Sequence, residues 1–213
     1  MPTTAPSAAS TAKDATQRIV AAARRHLFAY GYSSFTMDDL ARELGMSKKT
    51  LYVHFPGKDA LVEQIIDGFA RDARATADAI FADKELGFIE KLRRFTASMV
   101  ERFAQLHPHM LRDLERSAPH IYRHIEEVRY RNIPHVFGQL LRQGQAAGRV
   151  RPDLDPAFAI EFWRPAVQSL MHPATLERLK LRPDEAFTHA INLFFGGLLT
   201  PVGHKEYEKL LPR

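Results

Sequence analysis

Ten histidines and no cysteine set the chemical repertoire of this 213-residue chain. Without cysteine there is no disulfide framework and no thiolate nucleophile, which fits a reducing, cytoplasmic setting. His120 and His124 stand one helical turn apart, with Glu127 three residues on and His107 and His109 nearby, a spacing that could hold a metal ion. The same stretch carries Arg123 and Glu126, and neither a cysteine ligand nor a His-Glu-x-x-His pattern accompanies it. A partly exposed polar helix face accounts for these histidines more simply than a metal centre. There is no glycine-rich phosphate loop and no Gly-x-Ser-x-Gly turn, so neither a cofactor nor an enzymatic activity is expected. A second set of residues points elsewhere. Lys48, Lys49, Thr50, Tyr52 and His54 bring cations and hydrogen-bonding groups together over two turns of helix, the chemistry that phosphates and base edges call for.

The stretch that must position them runs from Thr36 to Lys58. Thr36 is a good N-cap, and Asp39 stands where an acidic side chain can answer it. Leu40, Ala41 and Leu44 put apolar or small groups on one helix face, and Gly45 is suited to the left-handed conformation that ends a helix. Ser47 offers a second N-cap, so a second helix is predicted from Lys48 to His54 with Leu51 inward and Pro56-Gly57 as its stop. Helix, glycine turn and helix make a helix-turn-helix. Its second helix carries the cations in its first turn, the part of a recognition helix that enters the major groove. Lysines there oppose the helix dipole, a conflict that a polyanionic partner removes. Two lysines alone would more often be a solvated basic turn; their place between a turn glycine and Thr50-Leu51-Tyr52 sets these apart.

On Phe28, Gly31-Tyr32, Thr36, Leu40, Ala41, Leu44-Gly45, Ser47, Thr50-Leu51-Tyr52, His54-Phe55 and Lys58, the segment from Ile19 to Leu61 resembles the DNA-binding domain of the tetracycline-repressor (TetR) family of bacterial regulators. The resemblance implies a double-stranded DNA operator as partner, a homodimer whose last two helices form a four-helix interface, and a ligand cavity between the long helix from Lys58 and the two that follow. The DNA-binding residues expected are Thr36, Ser47, Lys48, Lys49, Thr50, Tyr52, His54 and Lys58. Of these, Tyr52 and Lys58 would meet phosphates, and Lys48, Lys49 and Thr50 would approach base edges. Beyond this segment the chain resembles the family only in length and helical layout.

Composition agrees. With 45% hydrophobic and 26% charged residues the chain is an ordinary globular one. Its formal charge of +5 is uneven: Met1 to Lys58 holds eight Lys/Arg against four Asp/Glu, and the rest twenty-two against twenty-one. Most of the excess therefore lies where the helix-turn-helix is, as attraction to phosphates requires. No apolar run is long enough for a membrane span, and the N-terminus does not read as a secretory signal.

Taken in order, residues 1–12 are expected to be a disordered arm, rich in Thr, Ala, Ser and Pro. Asp14 to Tyr30 is predicted as a helix on Ile19, Ala23 and Leu27, with Phe35 packing beneath it. A long helix should run from Lys58 to about Phe81, with Leu61, Ile65, Ile66, Phe69 and Ala73 on one stripe. Further helices are expected from Phe88 to Leu106, around His109 to Glu115, from Pro119 towards Gly148, from Pro156 to about Met171, and from Pro183 to Gly196-Gly197. Pro134 should kink or break the third of these near Asn132-Ile133, Pro165 should bend the fourth, and the tail from Pro201 should be loosely held. The fold class is all-α with nine or ten helices, divided into an arm (1–12), a DNA-binding unit (13–60) and an effector-binding and dimerisation unit (61–213).

The reading is a ligand-responsive DNA-binding regulator, a repressor bound to a palindromic operator as a dimer. Its effector should be a small apolar or aromatic molecule, cationic or weakly polar at most, in a cavity lined by Phe95, Met99, Phe103, Met110, Tyr122, Tyr130 and Trp163. The dimer face should use Phe162 and Ala166 of the penultimate predicted helix with Ala190, Leu193, Phe194 and Gly197 of the last. Two other readings remain open: a helical protein-interaction module without specific DNA binding, and a metal-responsive regulator using the histidines.

Overall fold

Residues 8–209, with side chains from residue 14 onward, are described by a computed structural model. Eleven α-helices and one 3-10 turn make them up, with no strand among them. None of these helices is long and apolar enough to cross a membrane.

Helix α1 (Ala8–Tyr30) starts inside the stretch expected to be an arm, so residues 8–12 are helical, and residues 1–7 lie outside the described residues. Ile19, Ala23 and Leu27 are fully buried, as their spacing demands. Gly31, at φ 95°, ends α1. A 3-10 turn (Tyr32–Ser34) that the sequence did not suggest then leads to α2 (Met37–Glu43), α3 (Lys48–His54) and the long α4 (Lys58–Ala82). Phe35 is buried beneath α1, its ring beside that of His26.

Behind this front end come α5 (Phe88–Ala104), α6 (Pro108–Ser117), α7 (Pro119–Ala146), α8 (Pro156–Leu170), α9 (Pro173–Leu179), α10 (Pro183–Leu198) and α11 (Pro201–Glu208). All but α5 open on proline in the first turn, where its missing N–H has no intrahelical partner to lose.

Three expectations change. Pro134 does not break its helix: α7 is helical through it, with Val136, Phe137, Leu140 and Leu141 buried just beyond, so tertiary packing offsets the one missing hydrogen bond. Helix α9 was not foreseen; His172 caps it, its ring nitrogen accepting from the Ala174 N–H. The tail from Pro201 is not loose. Thr200 caps α11, Tyr207 is buried, and the Arg149 guanidinium pairs with Glu206 at 2.7 Å. Gly203 lies so close to the Arg149 carbonyl that a Cβ there would come within 2.5 Å of its oxygen.

The apolar core is continuous from Ile19 in α1 to Tyr207 in α11. A chain of rings runs through it: Phe81 to Phe95 at 5.6 Å, Phe95 to Phe137 at 5.8 Å, Phe137 to Trp163 at 5.2 Å, and Trp163 stacked on Phe194 at 4.3 Å.

Candidate nucleic-acid interface

The front of the molecule is built by reciprocal caps. Thr36 Oγ1 accepts from the Asp39 N–H at 3.1 Å while the Asp39 carboxylate accepts from the Thr36 N–H at 3.0 Å and its hydroxyl at 2.6 Å. These bonds from the Thr36 hydroxyl and N–H hold the Asp39 carboxyl below the ordinary aspartate value. At the other end of α2, Gly45 has φ 63° and Met46 N–H returns to the Ala41 carbonyl at 3.0 Å. Ser47 then caps α3, accepting from the Thr50 N–H at 3.1 Å. Leu51 and Phe55 bury α3 against the unit, which leaves Lys48, Lys49, Thr50, Tyr52 and Val53 outward.

That face is only partly the expected one. Lys49, Thr50 and Tyr52 are exposed, and Lys49 makes no ion pair among the described residues. The Lys48 ammonium is paired with Asp38 of α2, so a base or phosphate would have to share it. His54 turns inward, its Nδ1 2.9 Å from Thr16 Oγ1 on α1. Thr36 and Ser47 sit at the helix starts with their hydroxyls engaged in capping. Val53, 77% exposed, was passed over in the sequence although it stands two residues from the inward Leu51; a side chain of this kind is suited to a thymine methyl.

Lys58 is the largest departure. It is half-buried; its ammonium donates to the Phe35 carbonyl and lies 4.1 Å from the Tyr32 ring centre and 4.4 Å from that of Phe35. Burial pulls its pKa down, against the pull of Asp113, Asp59 and Asp39. In this position it braces the start of α4, and a phosphate would have to compete with that carbonyl. The Tyr32 hydroxyl donates to Asp59 at 2.5 Å, and burial with that bond pushes its pKa to about 12. Two further ties fasten the front to α6: Asp113 accepts from the Ser33 N–H at 2.5 Å and its hydroxyl at 2.7 Å, and the His107 N–H donates to the Phe28 carbonyl at 3.0 Å.

Directly behind lies a cavity of about 170 Å³. Phe95, Met99, Phe103, Met110 and Trp163 line it, with Phe28 of α1 and Ile66, Phe69, Ala70, Ala73 and Arg74 of α4. Tyr130 does not: it is 54% exposed, beneath the Arg164 guanidinium at 3.9 Å. Tyr122 is buried but outside the lining, its hydroxyl beside Arg129, which does line the cavity. Arg129 was missed, although it falls on the stripe Tyr122, Ile125, Arg129, Ile133, Val136, where a cation among apolar residues at helical spacing is conspicuous.

Comparison with known proteins agrees with this geometry. Residues 19–65, which span most of α1, the whole helix-turn-helix and the start of α4, match the model of bacterial regulatory proteins of the tetR family. Residues 19–65 are similar to the DNA-binding domain of that family. Among curated relatives of this protein, YvaF of Bacillus subtilis, an uncharacterised HTH-type transcriptional regulator, is 24% identical over 85% of this chain and 94% of its own. The transcriptional regulator AcuR of Cereibacter sphaeroides is 28% identical, covering 90% and 88%. The crystal structure of a regulatory protein TetR from Rhodobacter sphaeroides shares the fold, with a TM-score of 0.62 and 24% identity over 86% of this chain and 98% of that one. This protein is a DNA-binding transcriptional regulator with an N-terminal helix-turn-helix.

Two surfaces of the chain remain. On α8 and α10, Phe162, Ala166, Leu193 and Gly197 point outward, Phe162 63% and Leu193 82% exposed, and Phe158 joins them at 66%. Ala190 is half-buried. Phe194 belongs to the core, stacked on Trp163, so it closes the subunit itself. The histidines of α7 each face a carboxylate of α4: His120 with Asp59 at 3.0 Å, His124 with Asp67 at 2.8 Å, and His135 with Asp78 at 2.8 Å. His120 and His124 thus have separate partners, and no three metal-binding side chains converge among the described residues.

Proposed function

We propose that this regulator is a homodimeric repressor that leaves a palindromic operator when a small, largely apolar effector fills the cavity. The observation that carries this reading is a shared wall: Phe28 of α1 and five residues of α4 line the cavity, and α1 and α4 hold the helix-turn-helix between them. An effector that rearranges this wall has different contacts in the two states, as a population shift requires. The reading unit is taken as residues 13–60 and the effector and dimerisation unit as 61–213. Lys49, Thr50, Tyr52 and Val53 face the groove, with Lys48 shared with Asp38, and two recognition helices about 34 Å apart read successive half-sites. The exposed apolar face of α8 and α10 joins the copies, since such faces on soluble proteins mark association sites.

Footprinting and fluorescence anisotropy on fragments of genomic DNA test this. A two-fold footprint with affinity falling steeply as salt rises supports it. Binding equally tight to random duplex overturns the operator reading and leaves a helical interaction module in its place. Operator occupancy unchanged across a panel of apolar compounds overturns the effector reading.

A further inference from the structure

The cavity is apolar almost everywhere, with one discordant group. Arg129 of α7 lines it with a guanidinium whose Nη1 is sequestered from solvent and has no hydrogen-bond partner. No carboxylate comes within ion-pairing distance of it among the described residues. The nearest acid on its own helix, Glu126, accepts a hydrogen bond from Gln168 at 3.1 Å. Burial pulls the Arg129 pKa below the ordinary arginine value, and only Tyr122 and Glu126 oppose that pull. The Trp163 indole N–H, also on the cavity wall, is buried and unpartnered as well, while the Tyr122 hydroxyl behind the wall has only Arg129 beside it. Two donors without acceptors on the wall of one void, one of them part of a cation, are unusual, because native structures rarely leave such groups unmet.

We infer that the effector is an apolar monocarboxylate, its carboxylate held by Arg129 on a wall that also carries the Trp163 N–H. The inference rests on the cavity being the effector site. A guanidinium presents a planar fork that matches a carboxylate, which makes a charge-assisted, often bidentate pair. One cation balances one negative charge; a phosphate monoester brings nearly two into an otherwise apolar chamber. Arg74, the other arginine on the wall, is occupied at its exposed edge by Asp78 and His135. The remaining walls, with Phe95, Met99, Phe103 and Phe187, suit an alkyl or aromatic body. The volume of about 170 Å³ admits on the order of ten non-hydrogen atoms, if each water-sized space takes one. A cationic effector, one of the kinds that the aromatic lining alone suggests, would face Arg129 across the cavity and be repelled.

The test uses three probes of equal length that differ only in head charge: octanoate, octanol and octylamine. Trp163 is the sole tryptophan and lies on the cavity wall, so its fluorescence reports binding in the full-length protein without a label. Octanoate should bind wild type at least about tenfold tighter than either analogue, and Arg129→Met should abolish that preference while octanol binding stays within about threefold. Circular dichroism checks that the variant folds. If it does not, Arg129→Lys, which keeps the charge but loses the fork, should reduce octanoate affinity and not that of octanol. Octanol or octylamine binding as tightly as octanoate, a preference that survives in Arg129→Met, or no octanoate binding at millimolar concentration each overturns the inference. Operator release is read separately. Octanoate that binds through Arg129 without releasing DNA defeats the repressor reading and leaves the headgroup assignment standing.

Discussion

Leu193→Asp tests the subunit interface most directly. Leu193 is 82% exposed, so in a single subunit the change touches almost nothing and should alter the fold by no more than about 0.5 kcal/mol. In a two-fold interface the same position counts twice. Burying a leucine side chain is worth about 1.5–3 kcal/mol, so losing two weakens the dimer by about 3–6 kcal/mol, roughly a hundredfold to ten-thousandfold in dissociation constant. Two carboxylates facing an apolar partner surface add to this. Sedimentation velocity across a micromolar range should show a dimer for wild type and a monomer for the variant, with the helical circular dichroism of the variant intact. Leu179→Asp, on α9 and 48% exposed, is the control and should remain dimeric. The variant should also lose the two-fold footprint while keeping weak contact with single half-sites. A dimer that survives Leu193→Asp, or an equal loss in the Leu179 control, refutes the assignment of α8 and α10.

The other tests bear on the front of the molecule. Gly45→Val places a branched side chain at φ 63° with open space around it, so the penalty is in the backbone alone: about 1–2 kcal/mol of stability, seen by thermal denaturation, with operator affinity falling in parallel. Lys49→Ala should lower the salt slope of DNA binding by about one if Lys49 meets a phosphate, or shift base preference if it reads guanine; no change in either refutes its place on the face. Lys58→Ala should lower the melting temperature even without DNA, because it removes the brace on the Phe35 carbonyl; a loss confined to DNA binding would return Lys58 to the phosphate role. Burial raises the Asp113 pKa, but the Ser33 and Ser117 donors outweigh it and leave the carboxyl below its ordinary value. A depressed folded-state pKa means stability present above the ordinary aspartate value and lost as pH falls through the lowered one. Asp113→Ala should therefore be less stable than wild type by about 1–2 kcal/mol at neutral pH, and the gap should close in acid; a gap independent of pH refutes the ion's role.

Where local chemistry decides, the sequence was explicit. The caps at Thr36 and Ser47, the turn at Gly45 and the inward Leu51 are all set by neighbours within a few residues. So are the helix starts at prolines 119, 156 and 183. Where partners distant in the chain decide, the sequence was silent. Nothing around Lys58 announces that a carbonyl 23 positions earlier will hold its ammonium, and nothing around His54 announces Thr16. Outward and inward aromatics also look alike along the chain: Tyr130 and Phe194 share the helical spacing of their neighbours, yet one is on the surface and the other in the core. Helices α9 and α11 are short and owe their order to what they pack against, as with Tyr207. Arg129 could have been found, since its meaning lay in being the wrong residue for its stripe.

The far end of α4 is pinned, since the Phe81 carbonyl accepts from Lys91 at 2.8 Å and from Gln143 at 3.3 Å. With 25 residues, α4 is a rod of roughly 37 Å, and with the Phe81 end held it would act as a lever once the side-chain ties at Asp59 and Asp67 give way. From the pivot at Phe81 to Phe69 on the cavity wall is roughly 18 Å along the axis, and to Lys58 at the tip roughly 35 Å, a mechanical advantage of about two. A molecule that pushes Phe69 aside by about 1 Å would swing the tip by about 2 Å, and in the proposed dimer two tips related by the two-fold axis would change their spacing by up to about 4 Å. That is more than the tolerance of a hydrogen bond to a base edge, so displacement by little more than half an atom's width at the cavity is enough to disengage the groove.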